Sequence, residues 1–187
     1  MENKSTEKTD IIMAGLGGMG VLLAGQILSG AALKYFNHVS WLPSYAVQKR
    51  GGLCECTVVF SDNEIASPII DQAQTVIVFD SSQFLTFENR VIHNGLMLVE
   101  SAGFKDEPSR NDYNLEKIPG MEIAVSMGEG QINNLILLGT YVGMSNKIPS
   151  NLIEDEMETR FGNRKAILER NLTAFRKGLE LGNSKKI

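Results

Sequence analysis

"AGLGGMG", residues 14–20, stands between the apolar runs "IIMA" and "VLLAGQILSGAAL". Gly15, Gly17 and Gly20 satisfy G-x-G-x-x-G after a strand-like run and before a helix-like one, the context in which main-chain N–H groups and a helix N-terminus can face a phosphate. Gly18 makes the turn more permissive still. A dinucleotide site of this kind also needs an acidic residue about 20 positions further on, to hold the ribose hydroxyls. The chain offers Asn37, His38, Val39, Ser40 and Trp41 there instead. The motif therefore predicts an anion site near this turn and weakens its nicotinamide version. Glycines that only let a helix pack close to a strand remain the alternative.

Working outward, Asp10–Ala14 reads as a short buried strand and "MGVLLAGQILSGAALKYF" as a helix whose small residues Ala24, Ser29 and Ala32 permit close packing. "HVSWL" and "LCECTVVF" favour strands on either side of the polar loop "PSYAVQKRGG". "TVIVF" and "GLMLVE" are continuous apolar runs that fit strands covered on both faces, with "SSQFLTFENRVI" as a short crossover helix between them. "MEIAVSM" predicts a further strand. "GQINNLILLGTYVGM" predicts a helix carrying Leu135, Leu138, Gly139 and Val142 at helical spacing. Ser150 and Asn151 are placed to cap "LIEDEMETRF", and "RKAILERNLTAFRKGLEL" aligns Ile167, Asn171, Ala174, Phe175 and Gly178 on one stripe. Strands alternating with helices predict an α/β domain with a largely parallel sheet. One domain over residues 10–182, with flexible termini at 1–9 and 183–187, accounts for the pattern.

Composition narrows the function classes. With 187 residues, 43% hydrophobic content and no linker-like stretch, the chain can bury one full core. No apolar run reaches the ~20 residues of a membrane span, and "MENKSTEKTD" lacks the hydrophobic segment of a secretory signal, so a cytoplasmic protein is expected. A net charge of -4 argues against general nucleic-acid binding. The two cysteines, Cys54 and Cys56, are too few to hold an iron–sulfur cluster, share one face of a strand and read as packing residues. His38 and His93 are isolated, without ligand-spaced neighbours. Asn133, Asn134 and Asn171 sit on otherwise apolar helices and need partners, which loops or another subunit would supply.

Charge placement says more than the total. Between Asp10 and Glu55 there is no acidic residue, although roughly five would be expected at the chain's own acid frequency. The same stretch holds Lys34, Lys49 and Arg50. In "SYAVQKRGG", residues 44–52, Arg50 is a planar, permanently charged fork suited to phosphate or carboxylate, and Gly51 and Gly52 leave amides accessible beside it. The Ser44 hydroxyl and Tyr45 phenol can complete a polar pocket. Loops of an α/β sheet gather at the carboxyl ends of its strands, so this loop and the glycine turn are expected to face one crevice. Candidate binding residues are Gly15, Gly17, Gly18, Met19, Gly20, Ser44, Tyr45, Lys49, Arg50, Gly51 and Gly52.

"GLGGMGVLLAGQIL", "WLPSYAVQKRGG", "ASPII", "QINNLILLGTYVG" and "FGNRKAILERNLTAFRKG", in that order, resemble the gamma subunit of the 2-oxoacid:ferredoxin oxidoreductases. The likeness runs from about Asp10 to Gly182 and is strongest to the short, separate gamma chain of the 2-oxoglutarate synthase type. It implies a three-layer α/β fold and a subunit of a complex that oxidatively decarboxylates a 2-oxoacid to its acyl-coenzyme A and reduces ferredoxin. Thiamine diphosphate, magnesium and iron–sulfur clusters are then expected on alpha and beta partners, or on a small ferredoxin-like delta subunit, while the gamma-type domain contributes to binding coenzyme A and carries no catalytic residue or metal. The family pattern G-x-G-G-Q-G has Met19 in place of the glutamine here, which removes a side-chain amide. Its S-Y-G-P-E motif, followed by one residue and R-G-G, reads Ala46, Val47, Gln48 and Lys49 before Arg50. A stand-alone nucleotide-dependent oxidoreductase and a non-catalytic interaction domain are the other two readings.

Overall fold

A computed structural model describes residues 8–45 and 51–185. Its centre is a six-stranded sheet built from β1 (Thr9–Leu16), β2 (His38–Tyr45), β3 (Leu53–Ser61), β4 (Ala73–Val78), β5 (Val91–Glu100) and β6 (Asn114–Ile118), in the spatial order β2-β3-β1-β4-β5-β6. β1, β4, β5 and β6 run parallel. β3 pairs antiparallel with both β1 and β2, so an antiparallel hairpin extends one edge of a parallel core. Helices α1 (Val21–Ala32), α2 (Phe84–Phe87), α3 (Gly120–Ser126), α4 (Asn133–Ser145), α5 (Ser150–Phe161) and α6 (Lys165–Asn183) cover the two faces unequally.

The continuous apolar runs are explained by strands with two covered faces. Because successive side chains point to opposite sides, Ile11, Met13, Ile77 and Leu98 enter one core while Ile12, Ala14, Val76, Val78, Met97 and Val99 enter the other. The first core is the large one, closed by α1, α4, α5 and α6. The second is roofed by little more than Phe84 and Phe87 of α2, with Ile70, Phe104, Tyr113 and Leu115 at its margin. Each fully buried side chain of this size contributes about 1.5–3 kcal/mol.

Three local expectations need correction. "MEIAVSM" is not a strand: Pro119 ends β6, and the Met121 amide donates to the buried Glu100 carboxylate (2.9 Å), which turns the chain into α3. Its apparent alternation leaves Val125 61% exposed, because this helix buries Gly120 and Ala124 and packs Ile123 against the core. α4 is not one-sided either, since every residue from Asn133 to Met144 is buried. It is the central helix of the large core, apolar all round as such helices are. At α5, Ser150 is the first helical residue and Pro149 occupies the cap, with no side-chain cap hydrogen bond.

Candidate functional site

The glycine turn leaves the sheet where Leu16 of β1 lies opposite Leu53 of β3. β2 points the same way as β1, so the β2–β3 loop turns at the same end of the sheet as the glycine turn. The Gly17 amide donates to the Gly52 carbonyl at 2.9 Å, and a Cβ built on Gly17 would lie 3.5 Å from the Gly51 nitrogen. The two glycine segments are thus stitched together by their main chains. Gly18 (φ 98°), Gly20 (φ 75°) and Gly51 (φ 86°) all adopt the left-handed conformation that side chains disfavour.

The amides of this turn are divided in use. Gly17 spends its N–H on Gly52, and Met19 donates to the Leu16 carbonyl at 3.2 Å. Neither is therefore open to a ligand, which narrows the expected anion site to the remaining amides of the turn. Gly18 and Gly20 donate to no described residue, and a Cβ built on Gly18 meets nothing within 4 Å. Gly20 caps α1 in left-handed geometry, its carbonyl accepting from the Ala24 amide (3.0 Å) and from the Asn134 side-chain amide (3.1 Å). Asn134 of α4 thereby fixes the start of α1, a loop tie of the kind its buried amide demanded. Gly15 lies within β1, where an added Cβ would come to 3.1 Å from both Phe79 and Val21, so its role is close packing. Met19 packs on the large core and offers no polar atom to a ligand.

A cavity of about 310 Å³ opens here, lined by Leu16, Gly18, Gly20, Val21, Leu22, Leu23 and Cys54. None of the described lining residues carries a charge. At the positive end of a 12-residue helix, such a neutral wall with free amides suits a bound anion. Cys54 sits opposite Gly15 in the strand register, and burial pushes its thiol up while the Leu22 amide pulls it down. Cys56, behind it, is pushed up to about 12 by burial. Both stay thiols near neutral pH and neither is poised as a nucleophile. Ser44 is exposed on β2, opposite Glu55. Tyr45 is the last residue of β2, opposite Cys54, and only its main chain is described. Lys49 and Arg50, with Ala46, Val47 and Gln48, lie outside the described residues.

The charge pattern around the turn also changes once the helices are packed. Lys34 stands at the far end of α1, where Glu156 of α5 approaches it at 3.5 Å. It contributes nothing to the glycine turn. Glu55 projects toward Arg90 (3.2 Å). At the carboxyl end of β5, Glu100 is 2% exposed; burial pushes its carboxyl up, against hydrogen bonds from the Ala102 and Met121 amides. Glu100 shapes the entry to α3 and was not singled out from the sequence, where it reads only as the last residue of an apolar run. Trp41 packs against the large core beside Gly25 and Cys56.

The dinucleotide arrangement is absent. In that arrangement the strand after the first helix lies beside β1 and supplies the ribose acid. Here β3 lies between β1 and β2, and the candidate positions 37–41 fall at the opposite end of β2 from the glycine turn. Among the described residues no group of His, Cys, Asp and Glu is arranged to hold a metal, and no helix is long and apolar enough to cross a membrane.

A glycine turn at an α/β carboxyl edge, stitched to a hairpin rather than to a neighbouring nucleotide strand, sets this domain apart from the Rossmann class. Residues 10–181 match the family model described as pyruvate ferredoxin/flavodoxin oxidoreductase, and the chain belongs to that family. It is 28% identical over 169 residues to the ketoisovalerate oxidoreductase subunit VorA of Methanothermobacter marburgensis, covering 90% of this chain and 35% of that protein. The chain thus spans about a third of that relative's length. The 2-oxoglutarate synthase subunit KorC of Methanocaldococcus jannaschii is 29% identical over 177 residues, with 93% of this chain and 94% of the relative covered. Among solved structures, 2-oxoglutarate:ferredoxin oxidoreductase from Magnetococcus marinus, with 2-oxoglutarate, coenzyme A and succinyl-CoA bound, superposes with TM-score 0.87 at 21% identity, over 95% of this chain and 31% of that one. The gamma subunit of a keto/oxoacid ferredoxin oxidoreductase from Geobacter sulfurreducens gives 0.80 at 23% identity, over 94% and 99%. These structures share the three-layer α/β fold.

Proposed function

We propose that this chain is the gamma subunit of a 2-oxoacid:ferredoxin oxidoreductase of the 2-oxoglutarate type, and that its glycine turn helps to hold the phosphates of coenzyme A. The observation that carries the site is the open cavity at the start of α1, whose described lining holds no carboxylate and where the Gly18 and Gly20 amides donate to no described residue. The match to a KorC subunit over 94% of that relative's length supports the gamma-subunit reading. In this reading Gly18 and Gly20 present amides to the phosphates, and Arg50 adds a guanidinium from the neighbouring loop. Gly17, Gly51 and Gly52 hold the two loops together. Coenzyme A supplies the thiol that accepts the acyl group. Decarboxylation and electron transfer belong to alpha and beta partners that hold thiamine diphosphate, magnesium and iron–sulfur clusters, with ferredoxin as acceptor.

The test is reconstitution with alpha and beta chains copurified from the native cells. Dye reduction dependent on both a 2-oxoacid and coenzyme A is expected, with Arg50→Ala raising the KM for coenzyme A about tenfold, as loss of one charge-assisted phosphate contact does, while kcat is held. A complex with no such activity overturns the assignment. An Arg50→Ala complex with unaltered KM leaves the subunit assignment standing and removes the phosphate role of that loop. Tight nicotinamide nucleotide binding by the isolated chain would instead favour the independent oxidoreductase.

A further inference from the structure

A second cavity, of about 370 Å³, lies at the opposite end of the sheet, lined by Thr9, Gln74, Thr75, then Ile92, Asn94, Gly95 and Leu96 of β5, and Tyr141, Met144, Ser145 and Lys147. α4 separates the two: Asn134 at its start bonds to the glycine turn, and Tyr141 to Ser145 at its end form the wall here. Thirteen helical residues span about 20 Å. The cavity therefore shares no residue with the coenzyme A site proposed above and does not depend on that reading.

The wall is irregular where a plain sheet would close it. Ala73 pairs with Val91, but Thr75 pairs with Leu96, so residues of β5 are looped out between the two pairs. Within the bulge Asn94 adopts the left-handed conformation (φ 60°) and anchors its amide on the Asp112 carbonyl at 2.7 Å. Such bulges re-aim side chains and are found at functional edges. Into the same space faces Tyr141, 0% exposed, whose hydroxyl makes no well-formed hydrogen bond. Ser145, one turn on, lies within hydrogen-bonding reach of the phenol, in a geometry short of a full bond. A buried hydroxyl so weakly bonded is costly and has capacity for a further partner. Lys147 is the charged residue of the lining and has no ion pair among the described residues; Asp10, close by, is engaged with Lys8 (3.1 Å) and the Gln74 amide (2.7 Å).

We propose that this cavity is a binding site for a small organic monocarboxylate with an apolar body. One ammonium sets a single negative charge, the Tyr141 hydroxyl donates to a carboxylate oxygen, and Ile92, Leu96 and Met144 receive the hydrocarbon part. With one cation among the described lining residues, polyphosphates and dianions are disfavoured. The volume suits a ligand of drug-like size or smaller.

The experiment is a ¹⁹F NMR titration of the full chain with 4-(4-fluorophenyl)butyrate. A saturable shift in the millimolar range is expected, weakened about fivefold by Tyr141→Phe, which removes one hydrogen bond. Lys147→Gln should weaken it about tenfold, and the uncharged amide of the same probe should bind as poorly to the native chain as the carboxylate does to that variant. Tyr141→Phe should melt no lower than the native chain, because the hydroxyl makes no well-formed protein hydrogen bond to lose, and Gly18→Ala leaves the probe affinity unchanged. Absence of a saturable shift with the native chain, or affinity indifferent to both substitutions, overturns the proposal.

Discussion

Two sets of glycines do opposite things in this molecule. Along the crossing of α4 and α6, Gly139 and Gly143 face Gly178 and Gly182, and a Cβ on any of the four would strike the main chain of the other helix: Gly139 against the Phe175 carbonyl, Gly178 against the Ile136 carbonyl, Gly182 against the Thr140 carbonyl, Gly143 at 2.6 Å from the Leu179 carbonyl. In the turn after β1, Gly18 has open space around it and a left-handed φ. The first set exists because two backbones touch; the second exists because a dihedral angle is required and the space outside is kept clear. A glycine with no neighbour to avoid is the one whose surroundings suit a ligand. The contrast also explains why the site can be rigid while open, since the helix that carries Asn134 to the glycine turn is the one clamped by the glycine crossing.

That contrast can be broken by substitution. Gly178→Ala has no flexible neighbour to yield, so it should cost about 3 kcal/mol, as overpacking a close-packed interior does, and lower the melting temperature by roughly 6–12 °C. A variant that melts with the native protein would show that the helices are not in main-chain contact. Gly20→Ala comes next, at about 2 kcal/mol, combining a strained left-handed residue with collision against the Asn134 side chain; pairing it with Asn134→Ala should recover part of the loss, measured by urea denaturation. Gly18→Ala is the mildest for folding, about 1 kcal/mol from the dihedral alone. It should nonetheless raise the KM for coenzyme A more than its stability cost implies. Equal effects of Gly18→Ala and Gly178→Ala on melting would erase the distinction.

Much of the fold was legible because it is local. The strand, glycine turn and helix around Gly15–Gly20, the two-sided strands "TVIVF" and "GLMLVE", and the late helices all follow from periodicity and turn chemistry within a few residues. Asn134 was legible too, as a buried amide in need of a partner, though not the Gly20 carbonyl that meets it. The failures came where long-range contacts outweigh local pattern. "MEIAVSM" alternates like a strand, yet the Glu100 carboxylate, 21 residues earlier in the chain, receives the Met121 amide and starts a helix. Lys34 lies within the acid-free stretch of sequence, yet Glu156 is folded against it.

The amino-acid sequence by itself determined that residues 14–20 form a strand-to-helix turn with left-handed positions only glycine fills readily, and that the core needs strands covered on both faces, because sterics and burial periodicity act over neighbouring residues. Only the tertiary structure decided which turn amides are left for a ligand. It inserted β3 between β1 and β2, consumed the Gly17 amide on Gly52, and left Tyr141 facing a second cavity without a well-formed hydrogen bond. Hydrogen bonds are satisfied by whatever the fold brings within about 3 Å, and that proximity is set by the packing of the whole chain.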